Sequence, residues 1–166
     1  AVIGAKNSVG KALIELLEER EFPLDTLYPL DPEADAEEGD VSLFKGSNVE
    51  IKGVADFDWT QVHIAFFCAD DNTSAKYAPI AAESGVAVID NSAAFLSQPE
   101  IPMVIPHLNG QAIADFRNAN IIVSPSSASV QLWTALKPIY DNAGIARINL
   151  TNHHSVSTAG EFGVKE

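Results

Sequence analysis

A serine at a predicted strand-to-helix junction is the first candidate for chemistry in this sequence. Ile121–Val123 is a β-branched run that predicts a buried strand, and apolar residues from Val130 to Leu136 recur at helical spacing. Ser126 or Ser127 is expected to cap that helix with its hydroxyl oxygen. Ser127 therefore lies beside free backbone N–H groups and the positive end of a helix dipole, which is a favourable position for a nucleophile.

A glycine turn near the start of the chain is the second candidate. A short strand, Ala1–Ile3, and an amphipathic helix, Lys11–Arg20, flank the turn, as in the opening of a dinucleotide-binding βαβ unit. Gly4 and Gly10 take the first and third places of the glycine fingerprint. Asn7 takes the middle place, where its side chain is expected to crowd a pyrophosphate. The alternative is a glycine-assisted turn that binds no ligand.

The acidic segment after the predicted second strand, Leu24–Leu30, bears on the choice of cofactor. In this architecture the residues just past that strand meet the adenosine ribose. Residues 31–40 contain no Lys or Arg, so they repel a 2′-phosphate, whereas Asp31 can accept a hydrogen bond from a free ribose hydroxyl. NAD is therefore favoured over NADP, if either binds. The alternative is that this acidic run is a solvated loop.

Further strands and helices must position these candidates. The elements predicted along the chain are a hairpin at Val41–Val54, a turn or helix start at Asp56–Trp59, a central parallel strand at Val62–Cys68, a cap at Asp70–Ser74 with a helix at Ala75–Ser84, a strand at Val86–Ile89, an extended stretch at Pro102–Asn109, a short helix at Gly110–Phe116 and an alternating strand at Ala146–Ser157. Cys68 is expected to be a small buried hydrophobe rather than a reactive thiol.

These elements predict an α/β fold with a mostly parallel, Rossmann-like sheet and helices on both faces. The predicted domains are an NAD(P)-binding domain at 1–125 and the start of a truncated α+β catalytic or dimerisation domain at 126–166. Asp90–Ser92 follows a buried strand, at the end of the sheet where open α/β folds bind ligands. Because the chain begins within a strand and ends within an apparent helix, a fragment of a longer protein is expected.

Composition excludes several classes of function. The chain has 166 residues, with 10 basic and 23 acidic ones, and its net charge of -13 argues against a nucleic-acid partner. No apolar run reaches the roughly 20 residues that a membrane span requires. A lone cysteine, Cys68, fits a reducing cytoplasm. His153 and His154 are neighbours on a predicted strand and so face opposite sides, which predicts no metal site.

Several blocks, in order and spacing, resemble the N-terminal half of aspartate-semialdehyde dehydrogenase. They are Gly4–Gly10, Ala78-Pro79, Ile89–Phe95, Val104–Asn109, Ser124–Ser127, Ala135–Pro138 and Ser155–Gly160. The resemblance covers essentially the whole chain. It implies a homodimer in the full-length protein, and the cofactor-binding positions expected from it and from the turn are Gly4, Lys6, Asn7, Ser8, Val9, Gly10, Asp31, Ala69 and Ser92.

The resemblance also implies a reaction. The family makes aspartate semialdehyde by reductive dephosphorylation of aspartyl phosphate with NADPH, through an acyl-enzyme on a cysteine. Its acid/base histidine and substrate-binding arginine fall beyond Glu166. Ser127 stands where the family has its cysteine. A helix N-terminus brings a thiol to thiolate near neutral pH, but a serine hydroxyl needs an adjacent general base.

Other departures from the family pattern accompany Ser127. Asp70-Asp71 replaces a glycine pair and is expected to bring negative charge near the pyrophosphate, Leu96 replaces a phosphate-binding arginine, and His154 replaces a glutamine. Phe57–Gln61 and Ala65–Phe67 resemble the Usg-like branch of the family, which lacks the catalytic cysteine.

Three hypotheses follow. The first is a Usg-like homologue that keeps the Rossmann domain and lacks the parent reaction. The second is an active NAD(P)-dependent oxidoreductase acting on an aldehyde or acyl phosphate with altered specificity. The third is a non-enzymatic dimeric scaffold.

Overall fold

The computed structural model describes residues 1–34, 39–153 and 155. It divides into two compact units, the first at Ala1–Trp133 and the second beginning at Thr134. The functional boundary after residue 125 stays a prediction.

Six strands form one parallel sheet. They are β1 (Val2–Ile3), β2 (Pro29–Asp31), β5 (Lys52–Gly53), β6 (Ile64–Phe67), β7 (Ala87–Asp90) and β8 (Ile121–Val123), and their order in the sheet is β5-β2-β1-β6-β7-β8. Every neighbouring pair runs parallel. The chain begins in the middle of the sheet with β1. Strands β2 and β5 are added on one side of β1, and β6, β7 and β8 are then added on the other side. This is the Rossmann strand order, and it creates a switch point between β1 and β6.

The hairpin predicted at Val41–Val54 extends only to Glu50 and lies outside this sheet, because Lys52–Gly53 instead pairs with β2 inside it. The hairpin consists of β3 (Val41–Phe44) and β4 (Ser47–Glu50), which pair antiparallel. Lys45 and Gly46 connect them with φ of 50° and 73°. Positive φ at both central residues matches the right-handed twist of the strands, which explains the glycine at the second position.

The helices are α1 (Ser8–Glu19), α2 (Asp71–Glu83), α3 (Pro106–Asn109) and α4 (Ser127–Ala143), with 3₁₀ segments at Trp59–Gln61 and Gly110–Asn118. Asp58 caps the first 3₁₀ segment by accepting from the Thr60 N–H. Among the described residues, none of the helices combines the length and the apolar character needed to span a bilayer.

Helices cover both faces of the sheet, as the sequence predicts. Val2 and Ile3 are adjacent, fully buried and face opposite sides. Val2 belongs to an apolar cluster with Ile14 of α1, whereas Ile3 belongs to a cluster with Ala81 of α2. A parallel sheet buried on both faces requires near-continuous apolar strands, which is the pattern that made β6 and β7 recognisable.

Several predicted elements differ in the structure, and α2 begins at Asp71 rather than Ala75. The second strand begins only at Pro29, because Leu24 and the residues after it form an irregular approach. The stretch predicted to be extended contains helix α3, which begins at Pro106. Proline suits a first helical turn because its missing N–H has no partner there anyway. The Asn109 side chain accepts from the Ile105 N–H at 2.7 Å and closes this turn.

The strand predicted at Ala146–Ser157 is wrong for the described part of that range. Residues 146–153 and 155 carry no strand assignment. Ile148 and Leu150 are 42% and 60% exposed. A strand needs a hydrogen-bonded neighbour, and alternation in sequence supplies only the face pattern. Val156 and Ser157 lie outside the described residues.

Candidate functional site

Two glycines let β1 and α1 meet in close contact. A Cβ on Gly10 would lie 2.1 Å from the carbonyl oxygen of Gly4, which is far inside contact distance. Gly4 has φ of +83°, and a Cβ there would lie 3.0 Å from the backbone N of Ala69. Both positions therefore require glycine, the first for close packing and the second also for its conformation. The contact with Ala69 joins this turn to the end of β6, at the switch point.

The Asn7 side chain makes two hydrogen bonds at the switch point, and the expectation that it crowds a pyrophosphate stays a prediction. Its Oδ1 accepts from the Gly10 N–H at 2.8 Å, so Asn7 is the N-cap of α1. Its Nδ2 donates to the carbonyl oxygen of Cys68 at 2.5 Å. Asn7 thus ties the glycine turn to the backbone just after β6.

The first turn of α1 offers free donors. Ser8 and Val9 are exposed, and across the described ranges neither backbone N–H has a hydrogen-bond acceptor. Unpaired N–H groups at a helix N-terminus, together with the helix dipole, form an anion site. Lys6 lies next to them in the turn. The local chemistry suits a phosphate.

Asp31 lies at the end of β2 and is only 6% exposed. Its Oδ2 accepts from the Lys6 N–H at 3.1 Å, and its Oδ1 accepts from the Glu33 N–H at 3.0 Å. The Lys6 Nζ donates to Asp40 Oδ2 at 2.6 Å. Asp31 therefore orders the glycine turn, while Lys6 is held at both its backbone and its ammonium group by acidic side chains.

Cys68 follows β6 and is chemically quiet. Burial, and secondly the negative charge of Asp90, raise the pKa of its thiol to about 11. Thiolate is the reactive form of cysteine, so little is present near neutral pH. The raised pKa agrees with the prediction that the thiol is not reactive, although the side chain is only partly buried.

Asp90 ends β7 and is fully buried. Its Oδ2 accepts from the Ser92 hydroxyl at 2.7 Å, and its backbone oxygen accepts from the Ser124 N–H at 2.7 Å. Its Oδ1 has no partner among the described residues. Asp90 thus links the loop after β7 to the approach to Ser127. The sequence predicts a ligand position at this strand end, but no sequence pattern predicts the hydrogen bond between Asp90 and Ser124.

The side chains of Asp70 and Asp71 stabilise the fold by accepting backbone hydrogen bonds. Asp70 caps α2 by accepting from the Thr73 N–H at 2.9 Å. This hydrogen bond is the largest of the effects that lower the pKa of Asp70. The Asp71 carboxylate accepts from the Ala93 N–H at 2.8 Å and so holds the loop after β7. Both negative charges remain at the carboxyl end of the sheet, with their side chains engaged by backbone donors.

Ser127 is the first residue of α4 and is exposed. Ser126 acts as the cap, since its Oγ lies 3.4 Å from the Ser129 N and 3.0 Å from the Ser129 Oγ. In the part of the chain that the structure describes, the Ser127 hydroxyl makes no hydrogen bond. The hydroxyl is therefore accessible but has no base in contact with it.

The candidate residues lie at the carboxyl ends of the strands, which parallel strands share. Asp31 ends β2, and the other candidates come after a strand: the glycine turn after β1, Ala69 after β6, Ser92 after β7 and Ser127 after β8. Their individual roles stay predictions. Leu96 is 46% exposed. His154 lies outside the described residues. Within the described ranges, no three His, Cys, Asp or Glu side chains converge as metal ligands.

The sheet order and the glycine turn define a dinucleotide-binding domain of the Rossmann type. Residues 1–116 match the family model described as semialdehyde dehydrogenase, NAD binding domain. The chain belongs to the aspartate-semialdehyde dehydrogenase family, which confirms the resemblance found in its motifs.

Relatives of this chain include well-described proteins. It is 51% identical over 166 residues to aspartate-semialdehyde dehydrogenase 2 of Vibrio cholerae serotype O1, covering 100% of this chain and 49% of the relative. The crystal structure of aspartate semialdehyde dehydrogenase II from Vibrio cholerae complexed with ASA superposes with a TM-score of 0.93 at 49% identity, over 99% of this chain and 48% of that one. The Candida albicans enzyme with NADP shares the fold, with a TM-score of 0.70 and 19% identity over 87% and 47%. The chain spans about half the length of these relatives.

Proposed function

We propose that the protein containing this chain is an aspartate-semialdehyde dehydrogenase homologue that binds a nicotinamide dinucleotide and lacks the thioester chemistry of the parent reaction. The Usg-like assignment belongs to this proposal. The observation that carries it is Ser127, an exposed hydroxyl at the first residue of α4.

The dinucleotide is supported by the glycine turn. Gly10 packs on Gly4 so closely that no side chain fits between α1 and β1. Ser8 and Val9 then present N–H groups without acceptors among the described residues. A pyrophosphate on this turn would meet free donors and the positive end of the α1 dipole.

NAD is favoured over NADP in this proposal. Asp31 is buried at the end of β2, the position that meets the adenosine ribose in this architecture. A carboxylate there accepts from ribose hydroxyls and repels a 2′-phosphate. Both oxygens of Asp31 already accept backbone hydrogen bonds, and each carboxylate oxygen retains a second lone pair for the ribose.

The missing thioester step follows from chemistry at Ser127. Acyl transfer requires a nucleophile that is ionised or paired with a base. A thiol at a helix N-terminus approaches ionisation near neutral pH, but a hydroxyl does not. Across the described ranges no side chain hydrogen-bonds to Ser127, and Cys68 cannot substitute because its pKa is raised to about 11.

The test compares the full-length wild-type protein with its Ser127→Cys variant. Both are assayed for phosphate-dependent reduction of NAD and of NADP with aspartate semialdehyde. We expect wild-type turnover to be at least about a thousandfold below that of the variant, the order of magnitude that loss of a catalytic nucleophile has in other enzymes. Wild-type turnover that is readily measured and equal to the variant's would contradict the proposal, and so would a covalent acyl adduct on Ser127 detected by mass spectrometry.

A second candidate is an active NAD-dependent oxidoreductase that uses no covalent intermediate. The intact glycine turn together with Asp31 favours it, because a nicotinamide cofactor supplies hydride transfer without a covalent step on the protein. Steady reduction of NAD with a panel of aldehydes, unaffected by Ser127→Ala, would support this candidate over the first.

A further inference from the structure

Ser92 lies in the loop after β7, and its hydroxyl group is held on two sides. The hydroxyl donates to Asp90 Oδ2 at 2.7 Å, and its oxygen accepts from the Ala94 N–H at 3.2 Å. A serine hydroxyl has one proton and two lone pairs, so one lone pair of Ser92 is left. Because Ser92 is only half-buried, that lone pair is available to a ligand.

The Ser92 hydroxyl proton is held toward Asp90, because that carboxylate has no alternative donor. Asp90 is fully buried, and its Oδ1 has no partner among the described residues. Its Oδ2 accepts from Ser92, which is the one donor to this carboxylate within the described part of the chain. A buried carboxylate that lost this donor would carry the full cost of its desolvation. Toward a ligand, Ser92 is therefore an acceptor and not a donor.

The loop after β7 lies on the side of the switch point that suits the nicotinamide half of a dinucleotide. The glycine turn follows β1 and Asp31 ends β2, so the proposed adenosine half lies on that side of the sheet. Strands β6 and β7 lie on the other side, where this architecture binds the second nucleotide. The amino group of the nicotinamide carboxamide donates hydrogen bonds, whereas a ribose hydroxyl either donates or accepts. A serine that only accepts therefore suits the carboxamide.

We propose that Asp90 is a positioning residue, which fixes the Ser92 hydroxyl as a hydrogen-bond acceptor for the carboxamide N–H of a bound nicotinamide. The inference rests on the proposed dinucleotide function. Asp90 is itself inaccessible to a ligand, so it acts through the direction of the serine proton. Ser92 is the residue that would contact the cofactor.

The test is calorimetric titration of the full-length protein with two probes, NAD and its acetylpyridine analogue, in which a methyl group replaces the carboxamide amino group. The readout is the ratio of the Kd for the analogue to the Kd for NAD. We expect Ser92→Ala to lower this ratio about fivefold, the order of magnitude that one neutral hydrogen bond contributes. Ser92→Thr should retain the ratio, because threonine keeps the hydroxyl. Asp90→Asn should lower it at least about twofold, since an amide can donate to the serine oxygen and release the hydroxyl proton toward the acetyl carbonyl.

Asp71→Asn is the matched control, because Asp71 holds the same loop through the Ala93 N–H, and none of the described hydrogen bonds joins it to Ser92. It removes the same charge and should move both Kd values together, which leaves their ratio unchanged. Equal ratios in Asp90→Asn and Asp71→Asn would overturn the role of Asp90, and an unchanged ratio in Ser92→Ala would overturn the acceptor role of Ser92. In both cases NAD binding would still support the proposed function. A wild-type protein that binds neither probe would overturn the inference and the proposed function together.

Discussion

Replacing Gly10 by alanine should destabilise the protein through a single contact. The new Cβ would lie 2.1 Å from the Gly4 carbonyl oxygen, about 1.3 Å short of the 3.4 Å at which ordinary contact begins. The opposing atoms belong to backbone, so relief requires α1 to move away from β1. That movement breaks the Asn7 cap, a loss of about 1 kcal/mol. It also loosens the packing of Ile14, in the range of about 1–3 kcal/mol for overpacked cores.

Alanine recovers part of this loss, because it favours a helix over glycine by about 1 kcal/mol. We therefore expect Gly10→Ala to lower the free energy of unfolding by about 2 kcal/mol, measured by urea titration of the full-length protein with the fluorescence of buried Trp59 as probe. Gly110→Ala is the control, since Gly110 has φ of -54° and a Cβ added there would meet no atom within 4 Å. It should change stability by less than about 0.5 kcal/mol. Equal stability of the two variants would refute the packing argument.

Two further predictions concern titratable side chains. The hydrogen bond from Thr73 lowers the pKa of Asp70 below its ordinary 3.8, so the cap contributes fully above that pH and is lost as pH falls through the lower folded value. Asp70→Ala should therefore lower the free energy of unfolding by about 1 kcal/mol at pH 7 in a urea titration, whereas Asp70→Asn retains a cap at every pH. A difference in unfolding free energy between wild type and Asp70→Asn that does not change with pH would contradict this. In the Ser127→Cys variant, iodoacetamide at neutral pH should alkylate the introduced thiol and spare Cys68, whose pKa of about 11 against an ordinary 9.0 reduces its thiolate about a hundredfold. Comparable labelling of the two sites by mass spectrometry would contradict the raised pKa of Cys68.

Much of the fold was predictable because its strands are buried on both faces. The apolar run at Val62–Cys68 predicts a central strand, and the glycine turn predicts the βαβ opening, since each signal is local in sequence. The strand predicted at Ala146–Ser157 failed for the opposite reason. Alternation there says which face a side chain takes, but a strand exists only where another strand pairs with it.

The site was less predictable because its contacts cross the chain. Asn7 donates to the Cys68 carbonyl, 61 residues away, and no local pattern predicts that hydrogen bond. The pairing of Lys6 with Asp40 likewise needs both the turn and the start of β3 in place. No periodicity or spacing in the sequence predicts such long-range partners.

The two hydrogen bonds of the Asn7 side chain have a kinetic consequence. Because they fix the glycine turn at the Gly10 N–H and at the Cys68 carbonyl, we expect nucleotide association to involve little loss of backbone freedom. Mixing the full-length protein with dinucleotide should accordingly give a single concentration-dependent phase with no slow rearrangement behind it. Asn7, at the middle place of the fingerprint, is thus expected to preorganise the turn. A glycine at that place would leave the turn to be ordered by the ligand.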